Sequence, residues 1–181
     1  MKSNSQDDLN KYFGEIWEPS PLDGWEYSGL SILRKIAPHE TVIDVGCGYN
    51  FFRDKIPNLL GIDPANDAAD IKIGLEHFLP DDKFDVALCF GSIHFGNVTR
   101  ITNQIAKVVS ILKDTSRIYW RCNPGHHDHD DDMCSQISFF PWDEEWMEHF
   151  ADMFNYKINF MTTETHTTLG RQRLYSEWKR K

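Results

Sequence analysis

An α/β domain built on an open, mostly parallel sheet is the fold class predicted for this chain, on three observations. Thr41 to Asn50, TVIDVGCGYN, is a β-branched apolar run that ends in an acid and passes at once into a glycine-spaced turn. Phe84 to Phe90, FDVALCF, is a nearly continuous apolar run, the pattern of a strand buried on both faces. Around these two, strand-length and helix-length segments alternate along the chain. With 181 residues there is material for one well-cored domain, and too little for two of ordinary size.

Each element follows from local pattern. Leu30, Leu33, Ile36 and Ala37 recur at helical spacing, and Pro38 stops that helix before the first strand. After the glycine turn, Phe51 to Ile56 has room only for a short helix, because Pro57 ends it. Leu59 to Asp63 reads as the second strand, closed by Pro64. Seven residues separate Asp63 from Ile71, fewer than the roughly twelve a helical crossover takes, so a loop is expected to lead into a third strand, Asp70 to Gly74. Phe84 to Phe90 is the fourth strand. Asn97 to Leu112 places Val98, Ile101, Ile105, Val108, Val109 and Leu112 on one helical face, and Arg117 to Arg121 forms the fifth strand. Asp143 opens a second long helix carrying Trp146, Phe150 and Phe154. Tyr156, Ile158 and Phe160 alternate with polar residues, and Thr162 to Gly170 turns the chain back into Arg173 to Trp178, a closing hairpin.

Composition narrows the function. A net charge of -9 disfavours a generic electrostatic grip on nucleic acid, which depends on Lys and Arg contacts to phosphate. Arg171, Arg173, Lys179, Arg180 and Lys181 make the C-terminus basic and read as a solvated strand and tail. No apolar run approaches the roughly 20 residues of a membrane helix, and MKSNSQDDLN has no apolar segment behind its lysine, so a cytoplasmic protein is expected. The four cysteines, Cys47, Cys89, Cys122 and Cys134, follow no framework spacing and are expected as free thiols.

The glycine turn calls for a nucleotide-type ligand. A dinucleotide fingerprint, G-x-G-x-x-G, would need a third glycine where Phe51 stands. The stretch instead resembles the first motif of class I S-adenosylmethionine-dependent methyltransferases, acid-x-Gly-x-Gly-x-Gly, matched by Asp44, Gly46 and Gly48. Asn50, the non-glycine residue best suited to a left-handed backbone, replaces the last glycine. The resemblance covers roughly residues 28 to 181. It implies a Rossmann-like sheet of seven strands, mostly parallel, with a C-terminal antiparallel hairpin and helices on both faces.

The same resemblance implies S-adenosylmethionine as cofactor. Asp44, Gly46, Cys47, Gly48 and Asn50 would surround its methionine end, and Asp63 with Pro64 its ribose, since an acid ending the second strand can accept both ribose hydroxyls. By itself an Asp-Pro at a strand end also signals a turn. Leu79 to Asp85 matches the family segment before the fourth strand. Leu75 stands where many members carry an adenine-binding aspartate, which leaves Leu75 and Glu76 as the adenine candidates; Glu76 reads equally as a solvated loop acid. Phe90 closes the fourth strand beside the cofactor.

Gly91 to Phe95, GSIHF, resembles the family segment beside the reacting methyl group. His94 is the catalytic candidate, able to exchange a proton near neutral pH, although a lone loop histidine is often structural. The segment has neither the Asp/Asn-Pro-Pro-aromatic run of amino-directed DNA methyltransferases nor the Pro-Cys of cytosine C5 enzymes. A small-molecule or protein acceptor is therefore expected ahead of nucleic acid. His126, His127 and His129, interleaved with Asp128 and Asp130 to Asp132, are candidate metal ligands, or simply a polar loop over the substrate side. Residues 1 to 27 bring Tyr12, Phe13, Trp17, Trp25 and Tyr27, which would pack into the core or fold over the pocket as a lid. If both this segment and the histidine-rich loop cover the site, an acidic, aromatic-lined pocket would suit an amine or another small cation. The alternative to an enzyme is a non-catalytic module that binds the cofactor as a sensor or subunit.

Overall fold

Because β1 (Val42–Val45) is buried at all four positions, it has neighbours on both edges. In the computed structural model, which describes residues 5 to 125 and 137 to 181, it pairs in parallel with β2 (Leu59–Ile62) on one side and β3 (Phe84–Phe90) on the other. Beyond β3 lie β4 (Leu112–Cys122), parallel to it, then β6 (Gln172–Arg180) and β5 (Tyr156–Thr165), both joined antiparallel. The order β2-β1-β3-β4-β6-β5 makes a mixed sheet of six strands. The chain leaves β1 toward one edge and returns to the opposite side of it, so a crevice opens at the carboxyl ends of β1 and β3.

The strand expected over Asp70 to Gly74 is reduced to a single bridge between Ile62 and Ile71, which is why the described residues form six strands and not seven. The short crossover supplies no helix to cover an outer strand, and Ile71 is left 41% exposed. Asp70 is spent elsewhere. Its Oδ2 accepts from the Gly61 N–H at 2.8 Å and from Asn50 Nδ2 at 3.1 Å.

Two α-helices follow their predicted patterns closely. α2 (Val98–Ser110), which follows the N-terminal helix α1 (Gln6–Lys11), is capped by Asn97 Oδ1 accepting from the Arg100 N–H. α3 (Glu144–Met153) is capped in the same way by Asp143. Ile101, Ile105 and Val108 of α2, with Met147, Phe150 and Ala151 of α3, share one core with Ile43, Ala87, Ile118 and Trp120. The opposite sheet face, Val42, Val86, Leu88, Tyr119 and Tyr175, carries no α-helix among the described residues. Ile32 from a 3-10 helix (Leu30–Lys35) and Phe52 with Ile56 from a run of turns cover it. Helices on both faces were expected; the two segments hemmed in by Pro38 and Pro57 are too short for α-helix and settle into tighter turns.

Candidate cofactor and acceptor cavity

The turn after β1 cannot be built from ordinary residues. Gly46 has φ +66° and Gly48 φ +53°, the left-handed region, and a Cβ on Gly46 would lie 2.4 Å from the Cβ of Ser92. That clearance lets the turn and the segment after β3 meet at the crevice. The Gly46 and Cys47 N–H groups donate to Ile62 O at 2.8 and 3.0 Å, tying the turn to the end of β2.

Asp63 completes this clamp. Its Oδ2 accepts from the Gly48 N–H at 3.0 Å, while Oδ1 accepts from the Ala65 and Asn66 N–H groups at 2.8 and 2.9 Å. The Asp-Pro therefore does act as a turn cap, and the same carboxylate lies in the wall of the cavity. Asp44, at the end of β1, is 4% exposed and also faces the cavity. Burial raises its carboxyl pKa to about 7, against the pull of Arg121 and with help from Asp63 and Asp70. A carboxyl held in that condition has much to gain from a cation placed beside it.

Of the predicted site residues, Asp44, Gly46, Cys47, Gly48, Asp63, Pro64, Leu75, Glu76, Phe90 and His94 all line this one cavity. Leu75 and Glu76 sit on a 3-10 turn, with Leu75 buried and the Glu76 side chain 53% exposed. The Cys47 thiol is pushed far up, first by burial and then by Asp44 and Asp63, so it stays protonated. Asn50 does adopt the left-handed backbone, φ +53°, but is not part of the lining. Its amide is turned to Ala68 O and Asp70, behind the turn. His94 is buried, and its Nδ1 accepts from the Asn123 N–H at 3.3 Å, which places the proton of a neutral ring on Nε2. Cys47, Cys89 and Cys122 are free thiols, and Cys134 lies outside the described residues. So do His126, His127 and His129. No group of metal-ligating side chains occurs among the described residues.

The N-terminal segment contributes to the cavity wall. α1 continues into a π-helical turn (Tyr12–Ile16), and Leu9, Tyr12, Phe13, Trp17 and Trp25 join the lining. Tyr12 and Leu9 pack with Phe95 and Ile137, so this stretch is wall and core at once. Tyr27 lies apart, stacked 5.5 Å from Tyr175.

Four arginines stand in this cavity that no sequence motif assigns to it. Arg100, Arg121, Arg171 and Arg173 line the cavity against three acids, Asp44, Asp63 and Glu76. The histidine-rich loop on which the expectation of an acidic pocket depends lies outside the described residues. The expectation of a solvated basic C-terminus holds for exposed Lys179 and fails for Arg173, which is 9% exposed on β6. The missed signal was the alternation of Arg173 and Tyr175, which puts both on one face of a strand that begins at the crevice, with Arg171 just before it.

No family model and no curated protein matches the chain. Solved structures do. The protein has the Rossmann-like fold of class I methyltransferases. A Burkholderia thailandensis 1,6-didemethyltoxoflavin-N1-methyltransferase with bound 1,6-didemethyltoxoflavin and S-adenosylhomocysteine superposes with TM-score 0.73 at 11% identity, over 96% of this chain and 85% of that one. An N-methyltransferase from Bradyrhizobium japonicum in complex with S-adenosylhomocysteine matches at TM-score 0.70 and 12% identity, over 98% and 99%. Magnesium protoporphyrin IX methyltransferase from Synechocystis with bound S-adenosylmethionine matches at TM-score 0.69 and 12% identity, over the full length of both.

Proposed function

We propose that this protein binds S-adenosylmethionine in the crevice between β1 and β3 and transfers its methyl group to a small-molecule acceptor. The observation that carries the reading is the buried Asp44 beside a close, left-handed glycine turn that Asp63 clamps to the end of β2. An ammonium group next to Asp44 would draw its carboxyl into the ionised form, and the backbone of the Gly46 to Gly48 turn leaves room for a methionine chain. Asp63 retains acceptor capacity beyond its three backbone donors, for ribose hydroxyls. Leu75 supplies an apolar surface for adenine and Glu76 a carboxylate at its rim. The fold neighbours crystallised with the cofactor or its demethylated product support the same assignment.

The cofactor supplies the reactive methyl sulfonium group, and the chain's part is alignment and exclusion of water. The acceptor would lie between the GSIHF segment and the N-terminal aromatics, which act as a cover. With Nδ1 engaged by Asn123, His94 is better placed to donate from Nε2, and so to orient an acceptor, than to take a proton from it.

Calorimetric titration with S-adenosylhomocysteine tests the cofactor assignment, and methyl transfer from labelled S-adenosylmethionine to a panel of acceptors tests turnover. Binding without transfer to any acceptor would leave a cofactor-binding module. Absence of binding would end both readings.

A further inference from the structure

We infer that residues 6 to 17 form a strap that must lift for the cofactor to enter or leave, so that this segment sets the rate of cofactor exchange. The inference rests on the methyltransferase reading for the identity of the molecule under the strap. The strap itself is argued from its contacts.

It crosses the carboxyl ends of three strands in turn. Phe13 packs against Phe95, in the segment after β3, with ring centres 5.3 Å apart. Gly14 lies against the loop after β2, where a Cβ on it would stand 3.2 Å from Ala65 O and 3.8 Å from Ala65 Cβ. Trp17 lies against the turn after β1: a Cβ on Gly48 would stand 3.1 Å from its Cζ3, and its ring centre is 6.2 Å from that of Tyr49. Behind these, Gln6 Oε1 accepts from Arg100 Nη2 at 3.1 Å, at the start of α2. Gly48 and Ala65 both donate their N–H to Asp63, so the strap rests on the two loops that Asp63 ties together. Leu9, Tyr12, Phe13 and Trp17 share one cavity with Asp44, Gly46 and Asp63. The proposed cofactor site therefore lies between strap and turn.

The strap and the chain that follows it are held differently. From Pro21 onward the chain is fastened to the β5–β6 hairpin through its backbone. His166 Nδ1 accepts from the Thr168 and Leu169 N–H groups at 3.3 Å, which leaves Nε2 to donate to Pro21 O at 3.0 Å. The Thr167 N–H donates to Gly24 O at 3.0 Å, and Glu164 accepts from the Tyr27 and Ser28 N–H groups at 2.9 and 3.2 Å. Arg171 Nη1 donates to Ser20 Oγ at 3.1 Å, which puts Glu18 and Pro19 between the fastened part and the strap.

Ahead of that hinge no described residue belongs to a strand. α1 has 6 residues and passes into the π-helical turn, whereas a helix that is stable on its own needs about 12 to 15. Its order comes from what it packs against. Those partners are groups of the protein, so they hold the strap down with or without a ligand beneath it, and opening precedes entry as well as exit.

Exchange of tritiated S-adenosylhomocysteine on the full chain, followed by rapid filtration, tests this. Gly14→Cys combined with Ala65→Cys sets two Cβ atoms 3.8 Å apart, within disulfide range. Once oxidised with diamide, with the parent treated alike as control, this chain is expected to take up and release the ligand at least roughly a hundredfold more slowly, and reductant should restore both rates. Trp17→Ala is expected to raise both rates by roughly fivefold or more, with their ratio changing less. A Trp17 that merely touched the ligand would raise the release rate alone, and that result would overturn the inference. So would thiols that stay unpaired under oxidation, or a cross-link confirmed by mass spectrometry that leaves exchange unchanged. If the parent does not bind S-adenosylhomocysteine at all, the cofactor reading falls and takes the strap with it; binding whose rates ignore the cross-link defeats the strap alone.

Discussion

The two halves of the cavity are made by different means. On the β1–β2 side, residues 44 to 76 meet through backbone: two left-handed glycines, amides donating to Ile62 O, and an aspartate that binds three N–H groups. On the β4–β6 side the wall is side chain, with Trp25, His94, Arg121, Phe139 and Arg173 brought together from across the chain. A backbone-built half tolerates few substitutions and suits a ligand that does not vary. A side-chain half can be rewritten residue by residue, which is where a methyltransferase would carry its acceptor preference.

This contrast can be broken on the backbone side first. Gly46→Ala is expected to do the most damage, because its Cβ would stand 2.4 Å from Ser92 Cβ and φ +66° is unfavourable for any side chain. Strain and displacement together should cost about 3 kcal/mol, read as lost thermal stability or as S-adenosylhomocysteine binding weakened about a hundredfold. Parent-like stability and affinity would show that the turn does not need its close approach.

Asp63→Ala removes the acceptor for three backbone donors in a site 8% exposed. Stability should fall by about 2 kcal/mol, and S-adenosylhomocysteine affinity by roughly tenfold or more. A stability loss with unchanged affinity would leave Asp63 as a turn cap alone.

The pH dependence sharpens the role of Asp44. Its folded pKa, raised from 3.8 to about 7, means the folded state keeps a proton that the unfolded chain releases in between. The stability of the ligand-free protein should therefore decline as pH rises from about 4 to about 7 and then level off. Affinity for the ammonium-bearing ligand should run the other way, rising by up to about tenfold per unit below pH 7 and flattening above it. Asp44→Asn should abolish both slopes. A parallel rise in stability and affinity would contradict the assignment.

Asn50→Gly should have the smallest effect. Glycine takes φ +53° more readily, but the substitution loses the amide bonds to Ala68 O and Asp70. With these terms opposed, stability should move by about 1 kcal/mol or less, and S-adenosylhomocysteine affinity by less than about twofold, since Asn50 is outside the cavity lining. A large loss of affinity would place Asn50 in the ligand site.

The same division explains what could be read from the sequence. The β1 turn, Asp63 and the helices begun by Asn97 and Asp143 were legible because each depends on residues close in the chain: a glycine spacing, a strand-ending acid, a cap before an apolar stripe. The third strand was misread because Asp70 to Gly74 has a strand-like pattern, while its pairing depended on a covering helix that the short crossover does not supply. The arginines of the cavity were missed because strand alternation at 173 and 175 becomes meaningful only once β6 is known to start at the crevice beside β4. Asn50 takes the left-handed backbone its residue type suggested, while its amide points to Ala68 O and Asp70, a direction that φ does not give.

The most direct test of the cofactor cradle is an S-adenosylhomocysteine isotherm on the purified full chain at pH 8. One saturable site per chain is predicted, weakened by roughly tenfold or more in Asp63→Ala. No detectable heat and no thermal stabilisation at millimolar ligand, from a protein whose circular dichroism shows it folded, would contradict the account.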